Sequence, residues 1–268
     1  MRLDEDALRE LELWPLWHHR DTAAALHSGS PPPAALPRSA DETPCAPLRE
    51  QTIRRAIAET PKDSAPAAVR PAERVGEAVA VDLPGAGWPE LRAIVAGCTA
   101  CGLCKQRRQA VFGVGSESGP WLFVGEGPGA DEDAQGEPFV GQAGKLLDAM
   151  LAAIGLQRGR DVYIANVVKC RPPGNRTPTP AEAAACAGFL DRQIDLIQPK
   201  LIVALGKTAA LRLLASDASL ASLRGRRHEY RGYPVLVTYH PAYLLRNLPD
   251  KAKAWEDLVL ARRAMAAM

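Results

Sequence analysis

Residues 121 to 141 read WLFVGEGPGADEDAQGEPFVG, an apolar run that breaks into a glycine-rich, acidic loop. The run 121–124 is continuous and bounded by Pro and Gly, which is typical of a strand buried on both faces of a sheet. Gly125, Gly127 and Gly129 allow a sharp turn and a close approach of a ligand to the backbone. Ligands bind beyond the carboxyl ends of parallel strands, so the stretch predicts a pocket at this point.

The acidic residues of this loop decide between two interpretations of it. A glycine-rich turn between a strand and a helix is the simpler one, because short glycine motifs are weakly specific. Glu126, Asp131, Glu132 and Asp133, however, crowd the same loop, which then ends in Pro-Phe-Val-Gly. Solvated surface acids need neither interleaved glycines nor this ending. We therefore favour an active-site loop.

Strands and helices alternate on both sides of the loop. We predict strands at 121–125, 162–168, 201–205 and 234–239, and helices through Leu91 and Val95, at 141–155, 180–197 and 206–214, and from about residue 250. Alternation of this kind predicts an α/β fold, a three-layer α/β/α domain with a central four-stranded parallel sheet. The stretch RGRRHEYRGYPVLV adds a small hairpin before the last strand, with Gly232 in its turn.

The first 85 residues have a different character. Apolar residues in 3–17 are spaced as in a short amphipathic helix, whereas 28–48 and 61–86 are rich in Pro and Ala, as linkers are. We predict a flexible, largely disordered extension over 1–85 and a folded catalytic domain over 86–268. The helix would either pack on its own domain or bind a protein partner.

Composition and charge limit the classes of function. Hydrophobic residues make up 47% of the 268 residues, enough for a packed core. Apolar runs fall well short of the roughly 18 residues that a membrane helix needs, and the acidic N terminus lacks the features of a secretory signal. We expect a monomeric cytoplasmic protein that does not enter a membrane.

The net charge of +2 hides an asymmetry along the chain. Residues 1–97 carry 11 basic and 15 acidic side chains, while residues 98–268 carry 22 and 16. The folded part is therefore basic, as a surface that faces phosphates would be. A basic charge of this size also occurs in proteins that are merely soluble, so the signal is not decisive.

Five of the six cysteines fall into two groups. Cys98, Cys101 and Cys104 form CxxCxxC, and Cys170 and Cys186 flank a strand-to-helix connection. Disulfides are uncommon inside cells, so such spacing favours a metal or redox role. Thiolates that share one site suit zinc or an iron–sulfur cluster, and spacing does not choose between them. Cys186, which lies in an alanine-rich helix, could also be an ordinary buried residue.

The glycine-rich loop, together with HPAYLLR at 240–246, resembles the two signature motifs of the family 4 uracil-DNA glycosylases. The resemblance extends from about Cys98 to the C terminus. It implies a uracil-DNA glycosylase-like fold and an enzyme that flips uracil out of DNA and hydrolyses its N-glycosidic bond, leaving an abasic site for base excision repair. It also implies a [4Fe–4S] cluster held by Cys98, Cys101, Cys170 and Cys186, with Cys104 as a departure from the pattern.

The resemblance and the chemistry of base excision suggest a role for each site residue. Phe139 would stack on the flipped uracil, Asn166 would read its Watson–Crick edge, and His240 would stabilise the charge that develops on the leaving base. Gly125 and Gly127 would form the pocket floor. Gly127 stands where better-known uracil glycosylases have the aspartate that orients the water, so the candidates to hold it are Glu126, Glu132 and Asn175.

Basic and apolar residues near the motifs are candidates to contact DNA. Leu244 or Leu245 could fill the space that the base leaves, and Arg246 could hold a phosphate. Further candidates for phosphate contacts are Lys169, Arg171, Arg176, Arg224, Arg226 and Arg227. No lysine lies inside the motifs to attack the sugar, which favours hydrolysis by water in a monofunctional enzyme. The alternative is a zinc- or iron–sulfur-stabilised nucleic-acid-binding module without catalysis.

Overall fold

The computed structural model describes Leu83 and residues 85–268. Six strands form one sheet in the order β1-β3-β2-β4-β6-β5. They are β1 Val114–Gly115, β2 Trp121–Gly125, β3 Val162–Asn166, β4 Leu201–Leu205, β5 His228–Tyr230 and β6 Tyr233–Thr238. The four inner strands run parallel, and β1 and β5 are antiparallel at the two edges. The predicted four-stranded parallel centre is confirmed, with a short strand added at each edge.

Helices cover both faces of the sheet. The longer ones are α1 Trp88–Gly97, α3 Gln142–Ala153, α4 Pro180–Ile197, α5 Lys207–Leu214 and α8 Asp250–Ala266, and the shorter ones are α2 Ala130–Gln135, α6 Leu220–Leu223 and α7 Pro241–Leu244. Two further short 3-10 turns span Gly102–Lys105 and Pro173–Asn175. Every predicted helix of the folded part is present, within a few residues at its ends.

The alternation of strand side chains explains why two separate cores form. Leu122 and Val124 of β2 pack with α1, α4 and α5 on one face, while Trp121 and Phe123 pack with α3 and α8 on the other. All five residues of β2 are buried. A strand that is covered on both sides reads as a continuous apolar run, which is why this stretch indicated a central parallel strand.

Two local features differ from the sequence prediction, and one agrees with it closely. Strand β3 ends at Asn166 instead of residue 168 because its neighbour β2 ends at Gly125. The Val167 N–H still donates to the Gly125 carbonyl, and the Val168 N–H donates to the carbonyl of Glu126 in the loop after β2. Helix α2 interrupts the acidic loop. The hairpin between β5 and β6 turns through Arg231 and Gly232, both with positive φ, as a two-residue turn between antiparallel strands requires.

The predicted helix near residues 3–17 and the extension over 1–85, apart from Leu83 and Gly85, lie outside the described residues. Within the part of the chain that the structure describes, no helix combines the length and the apolar character needed to cross a bilayer.

Candidate active site

A cavity of about 450 Å³ opens at the carboxyl ends of β2, β3 and β6. Its volume is in the range of small-molecule sites, and it lies where the chain order reverses across β2, the expected place for a ligand in such a sheet. The lining includes Glu126, Gly127, Pro128, Gly129, Glu132, Phe139, Asn166, Asn175, Arg176, His240, Tyr243 and Arg246. The two predicted motifs therefore meet in one cavity.

Asn166 is the last residue of β3 and pairs with Gly125 of β2. Its side chain is buried, and within the described residues its Oδ1 has no hydrogen-bond partner. An unpaired buried carbonyl costs about 1–3 kcal/mol, so a donor supplied by a ligand would relieve it. A Cβ on Gly125 would lie 2.6 Å from the Phe139 ring and would also collide with the Asn166 amide. Glycine at 125 thus lets both groups reach the cavity.

Phe139 is held in an unusual backbone conformation. Its φ is +57°, in the left-handed region, which costs an aromatic residue on the order of 1–3 kcal/mol. Its ring stacks on the His240 ring, with centroids 5.4 Å apart and planes inclined by 29°. A Cβ on Gly144 in α3 would overlap the Phe139 carbonyl group. The surrounding structure therefore fixes both the backbone and the ring of Phe139.

His240 follows β6 and is the N-cap residue of α7. Its Nδ1 accepts a hydrogen bond of 3.1 Å from the Ala242 N–H. Burial, and secondly the positive charge of Arg246, lower the pKa of His240 to about 4, against the opposing effect of Glu132. The ring is therefore neutral at neutral pH. Because Nδ1 is the acceptor, Nε2 carries the hydrogen and is the donor available to a ligand.

Carboxylates of the acidic loop are already engaged by the protein. Glu132 accepts three backbone N–H bonds, from Gly129, Val140 and Gly141, at 3.0, 3.0 and 3.1 Å. Glu126 Oε2 accepts the Thr208 hydroxyl. Both side chains line the cavity, whereas Asp131 and Asp133 do not. Asp133 is buried beneath the loop and accepts the Arg108 N–H.

The loop after β3 carries the third group of cavity residues. Asn175 has a positive φ of +56°, and its Oδ1 accepts a 2.7 Å bond from Arg171 Nε. Arg176 donates two bonds to Glu182, at 2.8 and 2.7 Å. Glu182 in turn closes the N terminus of α4 by accepting the Thr179 N–H. The start of α4 thus holds this wall of the cavity.

A second, smaller cavity lies between α1 and α4 and is lined by cysteines. The thiols of Cys98, Cys101, Cys104, Cys170 and Cys186 face it, together with Arg107 and Lys169. Arg107 Nη1 donates a 2.8 Å bond to Cys170 Sγ. Burial raises the pKa of Cys101 and Cys170, and that of Cys186 to about 12. Among the described residues, no three ligating side chains converge as a single metal ion would require.

Comparison with known proteins places the chain in a family. The model of the uracil DNA glycosylase superfamily matches residues 112–259. A type-4 uracil-DNA glycosylase of Thermotoga maritima is 51% identical over 169 residues, which cover 62% of this chain and 88% of that protein. One from Archaeoglobus fulgidus is 47% identical over 156 residues, or 55% of this chain and 78% of that protein. This chain belongs to the type-4 uracil-DNA glycosylases.

Similarity to a type-5 uracil-DNA glycosylase is weaker. A type-5 uracil-DNA glycosylase of Pyrobaculum aerophilum is 36% identical over 91 residues, which cover 33% of this chain and 39% of that protein. Membership of the type-4 uracil-DNA glycosylases confirms the predicted family, fold class and enzymatic function. It also decides against the alternative of a binding module without catalysis.

Three predicted DNA contacts of this uracil-DNA glycosylase are corrected by the structure. Arg224 is one of them, because its side chain is 10% exposed and its Nε donates to Asp257 at 2.6 Å. The side chain of Lys169 is 1% exposed and donates to the Asn166 carbonyl (2.9 Å) and to Gln193 Oε1 (2.7 Å), so it cannot reach a phosphate. Burial also lowers the pKa of Lys169 to about 8. Leu244 is 1% exposed and belongs to the core, while Leu245 beside it is 42% exposed. Of the two leucines, only Leu245 reaches the surface.

Sequence reasoning missed three residues that shape the cavity. Gly206, with φ +88°, lets the His240 Cβ approach, since a Cβ of its own would lie 3.0 Å from it. Thr208 binds Glu126, and Arg158 donates to the carbonyls of the Phe139 segment. Gly206 could have been identified from the sequence, because a glycine directly after the strand LIVAL indicates a turn. Nothing in the sequence distinguishes Arg158 or Thr208 from ordinary surface residues.

Proposed function

We propose that this uracil-DNA glycosylase recognises a flipped uracil with Asn166, Phe139 and His240 and hydrolyses the N-glycosidic bond with water. The observation that carries the proposal is the buried Asn166 Oδ1, which has no partner among the described residues and lies in the same cavity as the Phe139 and His240 rings. A buried amide without a partner is a site that a ligand is expected to complete.

The edge of uracil matches the amide of Asn166. Uracil offers N3–H as a donor and O4 as an acceptor, and a carboxamide can accept from the first and donate to the second. Phe139 supplies a flat apolar surface for the base, and Gly125 leaves the space in which both can act. Together they form the recognition part of the proposed site.

His240 is proposed to act on the leaving base. Cleavage leaves negative charge on uracil, so a donor already aimed at uracil O2 stabilises the transition state more than the bound substrate. The pKa of His240 is about 4, hence the ring is neutral and contributes a hydrogen bond from Nε2 without transferring a proton. Its orientation is fixed beforehand by the Ala242 N–H.

The attacking water needs an acceptor in the cavity. Both oxygens of Glu132 accept backbone N–H groups, and Asn175 Oδ1 accepts Arg171. Glu126 uses Oε2 to bind Thr208, and its Oε1 has no partner in the described part of the chain. We therefore favour Glu126 to hold the water. Glu132 then has the supporting role of fixing the loop.

DNA contacts are proposed for the rim of the cavity. Leu245 would fill the space left by the base, and Arg246, Arg171 and Arg176 would contact phosphates, which position the duplex without reading its sequence. We also propose that residues 86–268 form the catalytic domain, that residues 1–85 are a flexible extension, and that the protein acts on uracil-containing DNA as a monomer.

The five-cysteine cavity fits an iron–sulfur cluster better than a single ion. A cluster attaches each thiolate to a different iron, so its ligands line a cavity instead of converging on one point. Arg107 and Lys169 beside the thiols offer positive charge for the thiolates. We propose Cys98, Cys101, Cys170 and Cys186 as ligands of a [4Fe–4S] cluster. Uracil excision transfers no electron, so the bound cluster would serve to join α1, α4 and the loop after β3.

Iron analysis tests the cofactor. Purified protein is expected to contain about four iron atoms and four acid-labile sulfides per chain. Cys186→Ser should lower the iron content, whereas Cys104→Ser, which changes a thiol in the same cavity, should not. Colourless protein with one zinc ion per chain would contradict the assignment.

Uracil excision tests the proposed function itself. Incubation with a duplex that contains one uracil should produce free uracil and an abasic site over many turnovers, while the strand stays intact until alkali is added. The matched duplex with thymine in place of uracil should remain unchanged. Binding to the uracil duplex without release of the base, with the protein fully folded, would refute the proposal.

A further inference from the structure

The peptide group between Phe139 and Val140 is held from both sides by opposite charges. Arg158 Nη2 donates to its carbonyl oxygen at 2.9 Å, and Glu132 Oε1 accepts from its N–H at 3.0 Å. Arg158 Nη1 donates at 2.9 Å to the carbonyl of the preceding residue, Pro138. Both peptide groups that flank the Cα of Phe139 are thus bound by one guanidinium.

This arrangement matters because Phe139 has a conformation that it would not adopt alone. Its φ of +57° is disfavoured for a bulky residue and persists only where the surroundings fix it. Rotation of the flanking peptide groups towards a negative φ would redirect the Cβ, and with it the ring that lines the cavity. Arg158 and Glu132 oppose this rotation at the peptide that follows the residue.

Arg158 itself is well anchored. Its Nε donates at 2.8 Å to Asp148 in α3, and its side chain is only 22% exposed. All three bonds use the planar fork of the guanidinium, which can bind two successive carbonyls and a carboxylate at once. A lysine has one nitrogen at the end of a flexible chain and cannot reproduce this set.

We propose that Arg158 is a positioning residue for uracil recognition, which acts by holding Phe139 in its left-handed conformation over the base. The inference rests on the proposed function, because it assigns Arg158 a role through the stacking of Phe139 on uracil. Arg158 does not contact the cavity, so its effect passes through the backbone of the Phe139 segment.

The direct test compares Arg158→Met with Arg160→Met. Arg160 belongs to the same turn, is 67% exposed and bonds only to Asp161 among the described residues, so it controls for the loss of one positive charge. Arg158→Met should slow single-turnover uracil excision by roughly ten- to hundredfold, since misplacement of a binding group has effects of this size. Inhibition by free uracil should weaken in parallel, while affinity for the duplex stays within about twofold.

A double-mutant cycle distinguishes positioning from general stabilisation. If Arg158 acts through the Phe139 ring, Arg158→Met should add little to the loss that Phe139→Ala causes by itself. Equal losses in both backgrounds would overturn the proposal. If Arg158→Met does not fold, Arg158→Lys provides the same comparison, with a smaller loss expected because one donor remains.

The outcomes separate this inference from the function on which it rests. If the unchanged protein and Arg160→Met both excise uracil and Arg158→Met equals them, Arg158 has no positioning role and the proposed function stands. If the unchanged protein releases no uracil, both fail. A fall in melting temperature without a change in uracil inhibition would assign Arg158 to stability alone and overturn the inference.

Discussion

His240→Ala is expected to slow single-turnover uracil excision by roughly 100- to 1,000-fold, while the affinity for DNA changes little. Loss of one donor to a developing oxyanion has effects of this size. The donor is prepared before the substrate arrives, because the Ala242 N–H occupies Nδ1 and leaves the hydrogen on Nε2. The interaction strengthens only as charge appears on the base, so it contributes to rate more than to binding.

The measurement is a single-turnover rate at saturating enzyme, with the DNA dissociation constant determined separately. His240→Gln, which retains a side-chain N–H donor, should recover part of the rate. Since the pKa of His240 is about 4, titration of this ring should produce no step in the rate between about pH 6 and pH 8. Equal losses in rate and in DNA affinity would instead make His240 a binding residue.

The parts of this enzyme that the sequence could predict are those encoded in local runs. Strands β2, β3 and β4 are continuous apolar segments, and parallel strands bring their carboxyl ends to one edge. Asn166 ends β3, and His240 follows the parallel strand β6 after one residue. Their meeting in one cavity therefore follows from topology, before any side-chain contact is known.

The errors arose where the chain leaves a regular element. Residues beyond the end of a strand lose its two-residue alternation, so the side to which they point is not defined by position. The charge of Lys169 predicts an exposed side chain, yet the side chain turns inward and its Nζ donates to Gln193. Leu244 and Leu245 are chemically alike, yet Leu244 at the end of the short helix α7 is buried and Leu245 directly after it is exposed. Only the fold distinguishes them.

Contacts between distant loops were also beyond prediction. Arg158 lies 19 residues after Phe139 in the sequence, and helix α3 separates the two along the chain. Its role depends on how that helix returns the chain to the sheet. The sequence also gives no indication of the left-handed conformation of Phe139, because positive φ is expected at glycine and asparagine and not at phenylalanine. Strain at a ligand site is where local sequence preference and structure are expected to disagree.

Asn166→Asp is expected to lower uracil excision by roughly ten- to hundredfold and to make cytosine a weak substrate. The amide can donate to uracil O4, whereas an ionised carboxylate can only accept, and a mispaired buried acceptor costs about 1–3 kcal/mol. Cytosine presents an N4–H₂ donor in place of O4. At the position of uracil O4 the variant therefore exchanges a match with uracil for a match with the cytosine N4–H₂, in a site where the original Oδ1 is buried and without a partner among the described residues.

Asn166→Ala is the matched control, because it removes the amide without adding an acceptor. Both variants should lose uracil excision, and only Asn166→Asp should gain release of cytosine, measured as free base from duplexes with one uracil or one cytosine. Uracil excision by Asn166→Asp that stays within about twofold of the unchanged protein would mean that Asn166 does not read the base.

The pH dependence of Asn166→Asp provides a separate test of the same hydrogen-bond pattern. Burial raises the pKa of a carboxyl group, and the introduced side chain would lie at one of the most buried positions of the cavity. A protonated carboxyl carries an O–H donor and a carbonyl acceptor, as the amide does. Uracil excision by the variant should therefore recover as the pH falls through this raised pKa. The protonated carboxyl can also pair with cytosine, by donating its O–H to N3 and accepting from N4–H₂, so cytosine release should not decline over the same range. Asn166→Ala has no group that titrates here, so its uracil excision should not recover; if Asn166→Asp does not recover either, the carboxyl group alters the site without reading the base edge.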